Sequence, residues 1–231
     1  MVSPQKYHFD LPDQSPKHAT IDEEWYPNIQ TAALKASSGR IYDSVLGIRS
    51  VVIHATVGST SAGAASVIHA KKASFHWLIP DEDEKQHGSF VWATCHEARA
   101  AWHVRNAVSH PLVWGGKSGI NHHSLGIELV NTQKSSDTFS DWQVRMAADI
   151  VRYCWAKYPN LKHIVSHALL DPSRRSDPGE LFPWDDFKSM VLMSDEQVLP
   201  ALVSSASEDI LTPAVVPSCC MDIVGSSVTT T

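Results

Sequence analysis

Two segments of the chain carry residue types that a metal-dependent hydrolase needs. His54 ends the apolar run VVIHAT, His167 ends a second apolar run, and Asp177 follows ten residues later in a loop with two prolines. Catalytic zinc is bound by three side chains of His, Asp or Glu, which leaves a fourth position for water. These three residues are therefore candidate zinc ligands. Asp171 is an alternative carboxylate, although its position before a proline is typical of a turn residue.

Buried strands must hold these histidines in place. The β-branched run Ile48–Thr56 predicts a strand with His54 near its end, and Lys162–His167 predicts another. Two further strands are predicted at Ser74–Pro80 and Ser124–Asn131. Candidate ligands at strand ends are where catalytic zinc sites are commonly built.

The clearest helix is predicted over Asp141–Tyr158, where apolar residues recur at helical spacing. Ser140 and Gln143 form a capping-box pattern at its start, and Pro159 marks its end. Shorter helices are predicted at Ile29–Ala36, Ala62–Lys72 and from about Trp184. Strands and helices in this order predict an α/β fold.

The chain of 231 residues predicts one catalytic domain at 41–192, with an N-terminal arm at 1–40 and a partly flexible extension at 193–231. The extension is rich in Ser, Thr, Val and Ala, with a possible helix near Asp195–Val203. We interpret the four cysteines as free thiols, since no metal-type spacing pairs them: Cys95, Cys154, Cys219 and Cys220.

Charge and hydropathy exclude several partner classes. The net charge is −6 and no run of Lys or Arg exceeds two residues, which argues against nucleic acid as a partner. The polar N-terminus lacks the pattern of a secretory signal, and no apolar run approaches the roughly 20 residues of a membrane span. We therefore expect synthesis in the cytoplasm without a signal peptide.

Five fragments, in order and at suitable separations, resemble one family. They are VVIHAT, SFHWLI, AWH, SLGIELVN and SHALLDPSRRSDPGELFPW. Together they are similar to the N-acetylmuramoyl-L-alanine amidase type 2 family, which includes AmpD-like amidases and peptidoglycan recognition proteins. The resemblance covers about residues 41–190. It implies a mixed central sheet flanked by helices, with zinc in a surface groove. It also implies hydrolysis of the amide between the lactyl group of N-acetylmuramic acid and L-alanine of the stem peptide.

The resemblance also implies roles for individual residues. The zinc ligands of the family fall on His54, His167 and Asp177, its catalytic glutamate on Glu128, and its basic loop residue on Arg175. Glu128 would transfer protons and Arg175 would stabilise the oxyanion. Many members of the family have lysine where this chain has arginine. Because arginine stays charged, proton transfer would rest mainly on Glu128.

Five further residues are candidate contacts to substrate. By resemblance His76 and Trp77 lie near the groove, although both could instead pack within the sheet. Trp102 and His103 match a pattern at the groove edge, where an aromatic ring could stack on a sugar, but a buried tryptophan is as common. Arg174 suits either a peptide carboxylate or an ordinary surface charge.

Alternative functions stay open at this point. A peptidoglycan-binding module without catalysis would have lost a zinc ligand, and here all three positions are occupied. A different zinc hydrolase is disfavoured, since the chain has neither an H-E-x-x-H nor a P-C-x-x-C segment.

Within the amidase hypothesis, the enzyme could recycle anhydro-muropeptides in the cytoplasm. It could instead act on the cell wall as a phage endolysin or as an antibacterial toxin delivered by a dedicated secretion apparatus. The segments outside a minimal recycling domain favour wall lysis, with action at the wall or periplasm. A delivered toxin would imply an immunity protein as a partner.

Overall fold

The computed structural model of the chain describes residues 7–17, 19–84 and 90–194. These belong to the first of two units, Met1–Asp195. The helix expected at Asp195–Val203 and the two C-terminal cysteines lie outside the described residues. Among the helices of the described ranges, none is long and apolar enough to cross a bilayer.

The strands of the described residues are β1 (His8–Asp10), β2 (Glu23–Trp25), β3 (Ser37–Gly39), β4 (Ser50–Ala55), β5 (Trp77–Ile79), β6 (Val91–Ala93), β7 (Arg99–Ala101), β8 (Ser124–Leu129) and β9 (His163–Ser166). Seven of them form a mixed sheet at the centre of this unit, in the order β1-β9-β4-β8-β5-β6-β2, and β3 pairs with β7 beside it. Strand β4 is parallel to both β8 and β9, and β5 is parallel to β8. Strands β1 and β6 run antiparallel to β9 and β5.

In the part of the chain that the structure describes, five α-helices accompany the sheet. They are α1 (Gln30–Lys35), α2 (Ser61–His69), α3 (Asp141–Lys157), α4 (His167–Leu170) and α5 (Trp184–Val191). Helix α3 begins with the predicted capping box, in which Ser140 and Gln143 exchange side-chain to backbone hydrogen bonds. The expected α/β class, with a mixed central sheet flanked by helices, is confirmed.

The two faces of the sheet differ in what covers them. Leu125, Ile127 and Leu129 of β8 pack in the main core with residues of α3 and α5. Because side chains alternate along a strand, Ser124 and Glu128 lie on the opposite face. That face is covered by two smaller apolar clusters. One includes residues of α1 and α2, and the other includes Leu170 of α4. The opposite face is therefore where polar side chains of β4 and β8 are available for a site.

Candidate metal centre

Three buried side chains meet at the carboxyl ends of β4 and β9. Ile53 of β4 pairs with Ser166 of β9, so the next residues, His54 and His167, are neighbours. Their Nδ1 atoms are 2.9 Å apart, and Asp177 Oδ2 lies 3.2 Å from the first and 2.9 Å from the second. Two imidazole nitrogens and one carboxylate oxygen are a donor set typical of catalytic zinc. The group therefore fits the expected cofactor, zinc.

Local structure fixes each of these three residues. Strand β4 directs His54 to the face opposite the main core. Strand β9 ends at Ser166, whose Oγ accepts the Leu169 N–H and caps α4, so His167 is the first residue of that helix. The prediction that the strand includes His167 is wrong, because the structure places His167 in α4. The loop with Asp177 is held to α4 because the Asp177 carbonyl accepts the Ala168 N–H at 2.9 Å.

Electrostatics favour the metal-binding protonation states of His54 and Asp177. Burial, and then the neighbouring His167, lower the pKa of His54 to about 4. Burial alone would raise the pKa of Asp177, but hydrogen bonds with His167 and His54 outweigh it and hold that pKa well below its usual range. A neutral imidazole and an ionised carboxylate are the forms that bind metal.

Asp171, the alternative carboxylate, is engaged elsewhere. Arg105 holds it in a bidentate pair, with Nε 2.9 Å from Oδ2 and Nη2 3.0 Å from Oδ1. Arg174 Nη1 lies 3.7 Å from the same carboxylate, and its side chain is half exposed. The geometry brings Asp177, and not Asp171, to the two histidines. Arg174 forms a surface ion pair with Asp171, and its contact with substrate stays a prediction.

The metal-binding group lies in a groove of about 200 Å³ together with Glu128 and Arg175. Glu128 is the direct partner of His54 in the pairing of β8 with β4. Burial, and then the negative charge of Asp177, raise the pKa of Glu128 well above its usual value, and Arg175 partly offsets this. Val67 of α2 adds an apolar wall. The arrangement places a carboxylate with a raised pKa and a permanent cation around the candidate metal site.

The structure corrects two of the expected substrate contacts. Trp77 lies on the other face of the sheet, in the main core, and its Nε1–H donates to Glu23 at 2.5 Å. His76 is fully buried; its Nδ1 accepts the Gly126 N–H at 2.9 Å, and its Nε2 lies 3.1 Å from the Arg99 carbonyl oxygen. Neither lines the groove. Adjacent strand residues point to opposite faces, so the pair could not both have faced the substrate.

The other two expected substrate contacts, His103 and Trp102, differ in their position relative to the groove. His103 lines the groove and is buried, with its Nδ1 3.0 Å from His54 Nε2. Trp102 is 37% exposed, and its backbone N–H donates to Ser74 Oγ at 2.7 Å. Trp102 is partly accessible to solvent but does not line the groove as its neighbour His103 does, and stacking on a sugar stays a prediction.

Sequence reasoning missed Arg40. It is part of the segment expected to be an arm, yet its guanidinium is largely enclosed and donates to the backbone carbonyls of Glu97, Asn121 and Ser124. Burial lowers its pKa to about 10. Ser124 and Gly126 were also given no role. The alternation of SLGIEL could have indicated that both share a face with Glu128.

The fold and this site define a class of protein: a mixed α/β protein with a His/His/Asp group suited to a catalytic metal, set beside a glutamate in one groove. Residues 44–180 match the family described as N-acetylmuramoyl-L-alanine amidase. The chain belongs to this family, as its motifs had indicated.

Curated relatives agree with this membership. The chain is 31% identical over 146 residues to N-acetylmuramoyl-L-alanine amidase AmiD of Escherichia coli (strain K12), a match covering 59% of this chain and 51% of the relative. It is 30% identical over 134 residues to 1,6-anhydro-N-acetylmuramyl-L-alanine amidase AmpD of Salmonella typhimurium (strain LT2), covering 58% and 64%. The chain thus spans about half the length of the first relative and under two thirds of the second.

Solved structures share the fold. AmpDh3 of Pseudomonas aeruginosa has a TM-score of 0.56 at 21% identity, covering 89% of this chain and 84% of that one. AmiD of Escherichia coli, in complex with the substrate anhydro-N-acetylmuramic acid-L-Ala-D-gamma-Glu-L-Lys, has a TM-score of 0.53 at 28% identity, covering 68% and 63%.

Proposed function

We propose that this chain is a zinc-dependent N-acetylmuramoyl-L-alanine amidase. The observation that carries the proposal is the convergence of His54, His167 and Asp177 beside Glu128 in one groove. A module that only bound peptidoglycan would need neither a complete donor set nor a glutamate at that position. Family membership and the substrate named for the AmiD complex support the choice of bond: the amide between the lactyl group and L-alanine.

His54, His167 and Asp177 would hold the zinc, which when bound would supply a Lewis acid for the scissile carbonyl and a water of lowered pKa. Glu128 accepts the proton of the attacking water, and its raised pKa suits a group that must both take and release a proton. The water oxygen adds to the carbonyl carbon, and the C–N bond then breaks. Glu128 returns the proton to the leaving nitrogen, so the products are the free amine of L-alanine and the lactyl carboxylic acid, which then loses its proton to solvent.

Arg175 stabilises the charge that forms on the carbonyl oxygen. It lines the same groove and presents a guanidinium cation there. A fixed positive charge beside a developing oxyanion lowers the barrier because it interacts more strongly with the transition state than with the neutral amide. Arg175 therefore contributes charge, and Glu128 carries the protons.

Small anhydro-muropeptides are the substrate form that the relatives favour. AmpD is named as a 1,6-anhydro-N-acetylmuramyl-L-alanine amidase, and the AmiD complex holds an anhydro-muramyl peptide. Recycling of such fragments is therefore our first candidate role. Wall lysis, as an endolysin or a secreted toxin, rests only on the segments that flank residues 44–180. An immunity protein follows only from the toxin role.

Mass spectrometry of reaction products tests the proposal. Purified chain loaded with zinc is incubated separately with soluble anhydro-muropeptides and with intact sacculi, and Glu128→Gln serves as the matched inactive control. We expect free peptides that begin with L-alanine, together with intact anhydro-sugars, from the soluble substrate. Cleavage of sacculi alone would overturn the recycling role, and no cleavage of either would overturn the amidase assignment.

A further inference from the structure

We propose that His103 is a positioning residue that fixes the tautomer of His54, so that Nδ1 of His54 presents a lone pair to the metal. The inference rests on the proposed function, because it concerns metal binding by the same group. It replaces the expectation that His103 serves mainly to contact substrate.

A chain of hydrogen bonds runs from the candidate metal site into the protein. His54 Nε2 lies 3.0 Å from His103 Nδ1, and the two rings are nearly perpendicular at 89°. His103 Nε2 lies 3.1 Å from Ser124 Oγ, which in turn donates to the Ile120 carbonyl oxygen at 2.8 Å. The side chains of His54, His103 and Ser124 are all buried. The series of hydrogen bonds ends on a backbone acceptor, the Ile120 carbonyl oxygen.

The last acceptor in this series of hydrogen bonds determines which nitrogen of each imidazole holds the proton. A hydroxyl has one proton, and Ser124 gives it to the Ile120 carbonyl, so Ser124 Oγ must accept from His103 Nε2–H. A neutral His103 then has a lone pair on Nδ1, which accepts the Nε2–H of His54. His54 Nδ1 is thereby left without a proton, facing His167 and Asp177. The opposite tautomer would put a proton on the ligand atom.

A glycine provides the space for this contact. A Cβ at Gly126 of β8 would lie 2.8 Å from His103 Cγ and 2.9 Å from its Nδ1, closer than real Cβ contacts. The imidazole therefore packs directly on the backbone of the strand that also holds Ser124 and Glu128. A substitution at Gly126 should displace His103 without altering any ligand, which gives an independent test.

Two substitutions of His103 distinguish a role in fixing the His54 tautomer from a role in packing alone. In His103→Asn the amide oxygen takes the place of Nδ1 and can still accept from His54. In His103→Gln the amide reaches toward Ser124 and leaves no acceptor at the Nδ1 position. We expect His103→Gln to weaken zinc binding about 10- to 100-fold, in the range found for partners of metal-ligating histidines, and His103→Asn to weaken it by less than about 10-fold.

The measurement is the zinc Kd of the full chain by chelator competition, with the melting temperature of the metal-free protein as the control for folding. Gly126→Ala should raise the Kd as His103→Gln does. An unchanged Kd in His103→Gln would overturn the proposal. Equal losses in the Asn and Gln variants that follow a fall in melting temperature would also overturn it, because they would show a packing role alone.

Nitrogen-15 NMR of the metal-free protein reads the tautomer directly. At pH 7.5 we expect the His54 proton on Nε2 in the wild type and a mixture of tautomers in His103→Gln. A wild-type His54 with its proton on Nδ1 would contradict the proposal. This readout needs neither zinc nor turnover, so it distinguishes failure of the inference from failure of the proposed amidase function.

Discussion

His54 and Glu128 are directly opposite each other in the parallel pairing of β4 and β8. Both side chains therefore emerge on the same face of the sheet, side by side at the carboxyl ends of their strands. A candidate ligand and the candidate proton carrier are thus positioned by one strand pair. A register shift of one residue would turn either of them into the main core.

Glu128→Gln should separate zinc binding from turnover. The substitution keeps the shape of the side chain but removes its ability to take a proton, so kcat should fall by about 10²- to 10⁴-fold. Zinc content should be unchanged, since Glu128 is outside the donor set. Steady-state kinetics and metal analysis of the same preparation check this. A variant with bound zinc and near-normal kcat would show that another group carries the proton.

Asp177→Asn and Asp171→Asn form a matched pair for the third ligand. Removing the Asp177 carboxylate should abolish tight zinc binding. Asp171→Asn should leave zinc in place and lower the free energy of unfolding by roughly 1–2 kcal/mol, because it breaks the bidentate pair with the half-exposed Arg105. Metal analysis and urea unfolding report both effects. If Asp171→Asn lost zinc and Asp177→Asn kept it, Asp171 and not Asp177 would be the third ligand.

Arg175 should act through its charge. Arg175→Ala should lower kcat by about 10²- to 10³-fold, as removal of an oxyanion partner commonly does. Arg175→Lys should keep most of the activity, because the ammonium supplies the same charge. The comparison is kcat at saturating muropeptide. Activity in the alanine variant equal to that of the wild type would exclude the proposed role.

The buried His76 predicts a pH dependence of stability. Burial, and then the charge of Arg40, lower its pKa to about 3, so it stays neutral in the folded protein while the unfolded chain takes up a proton near pH 6.5. Its contribution to stability is therefore complete above about pH 6.5 and is lost as the pH falls toward 3. Between these values the cost is up to about 1.4 kcal/mol per pH unit.

The comparison is urea unfolding of the metal-free wild type and of His76→Asn at pH 7, 6 and 5. The amide oxygen of asparagine can still accept the Gly126 N–H, but it does not titrate in this range. We expect the wild type to lose more stability than the variant from pH 7 to pH 5. Parallel curves for the two proteins would refute a neutral, buried His76.

The predictable parts of the fold are those with enough residues to show a period. Strands β4 and β8 have six residues each and α3 has seventeen with a capping box, and the sequence indicated all three. Strands β1, β2 and β6 have three residues each, which is too short for a recognisable alternation. Helix α4 has four residues, less than two turns, which is too short for a helical period that would place its start at His167.

The parts of the candidate site that lie in sequence motifs were predictable, and the parts that depend on the path of a loop were not. The ligand group follows from two histidines at the ends of predicted strands and an aspartate in the loop after the second. The contact of His103 with His54 joins residues 49 positions apart and depends on how the AWH segment crosses β8. The alternation of side chains could have indicated that His76 and Trp77 do not both face the groove, since adjacent strand residues point to opposite faces.

The most direct test of the account is to remove zinc with a chelator, add it back in measured steps, and count new amino and reducing ends released from an anhydro-muropeptide. We predict that activity returns at one equivalent of zinc and that each cleavage yields one free α-amino group on L-alanine and no reducing sugar end. Activity without zinc, or reducing ends in place of amino groups, would contradict the assignment of this chain as a zinc amidase.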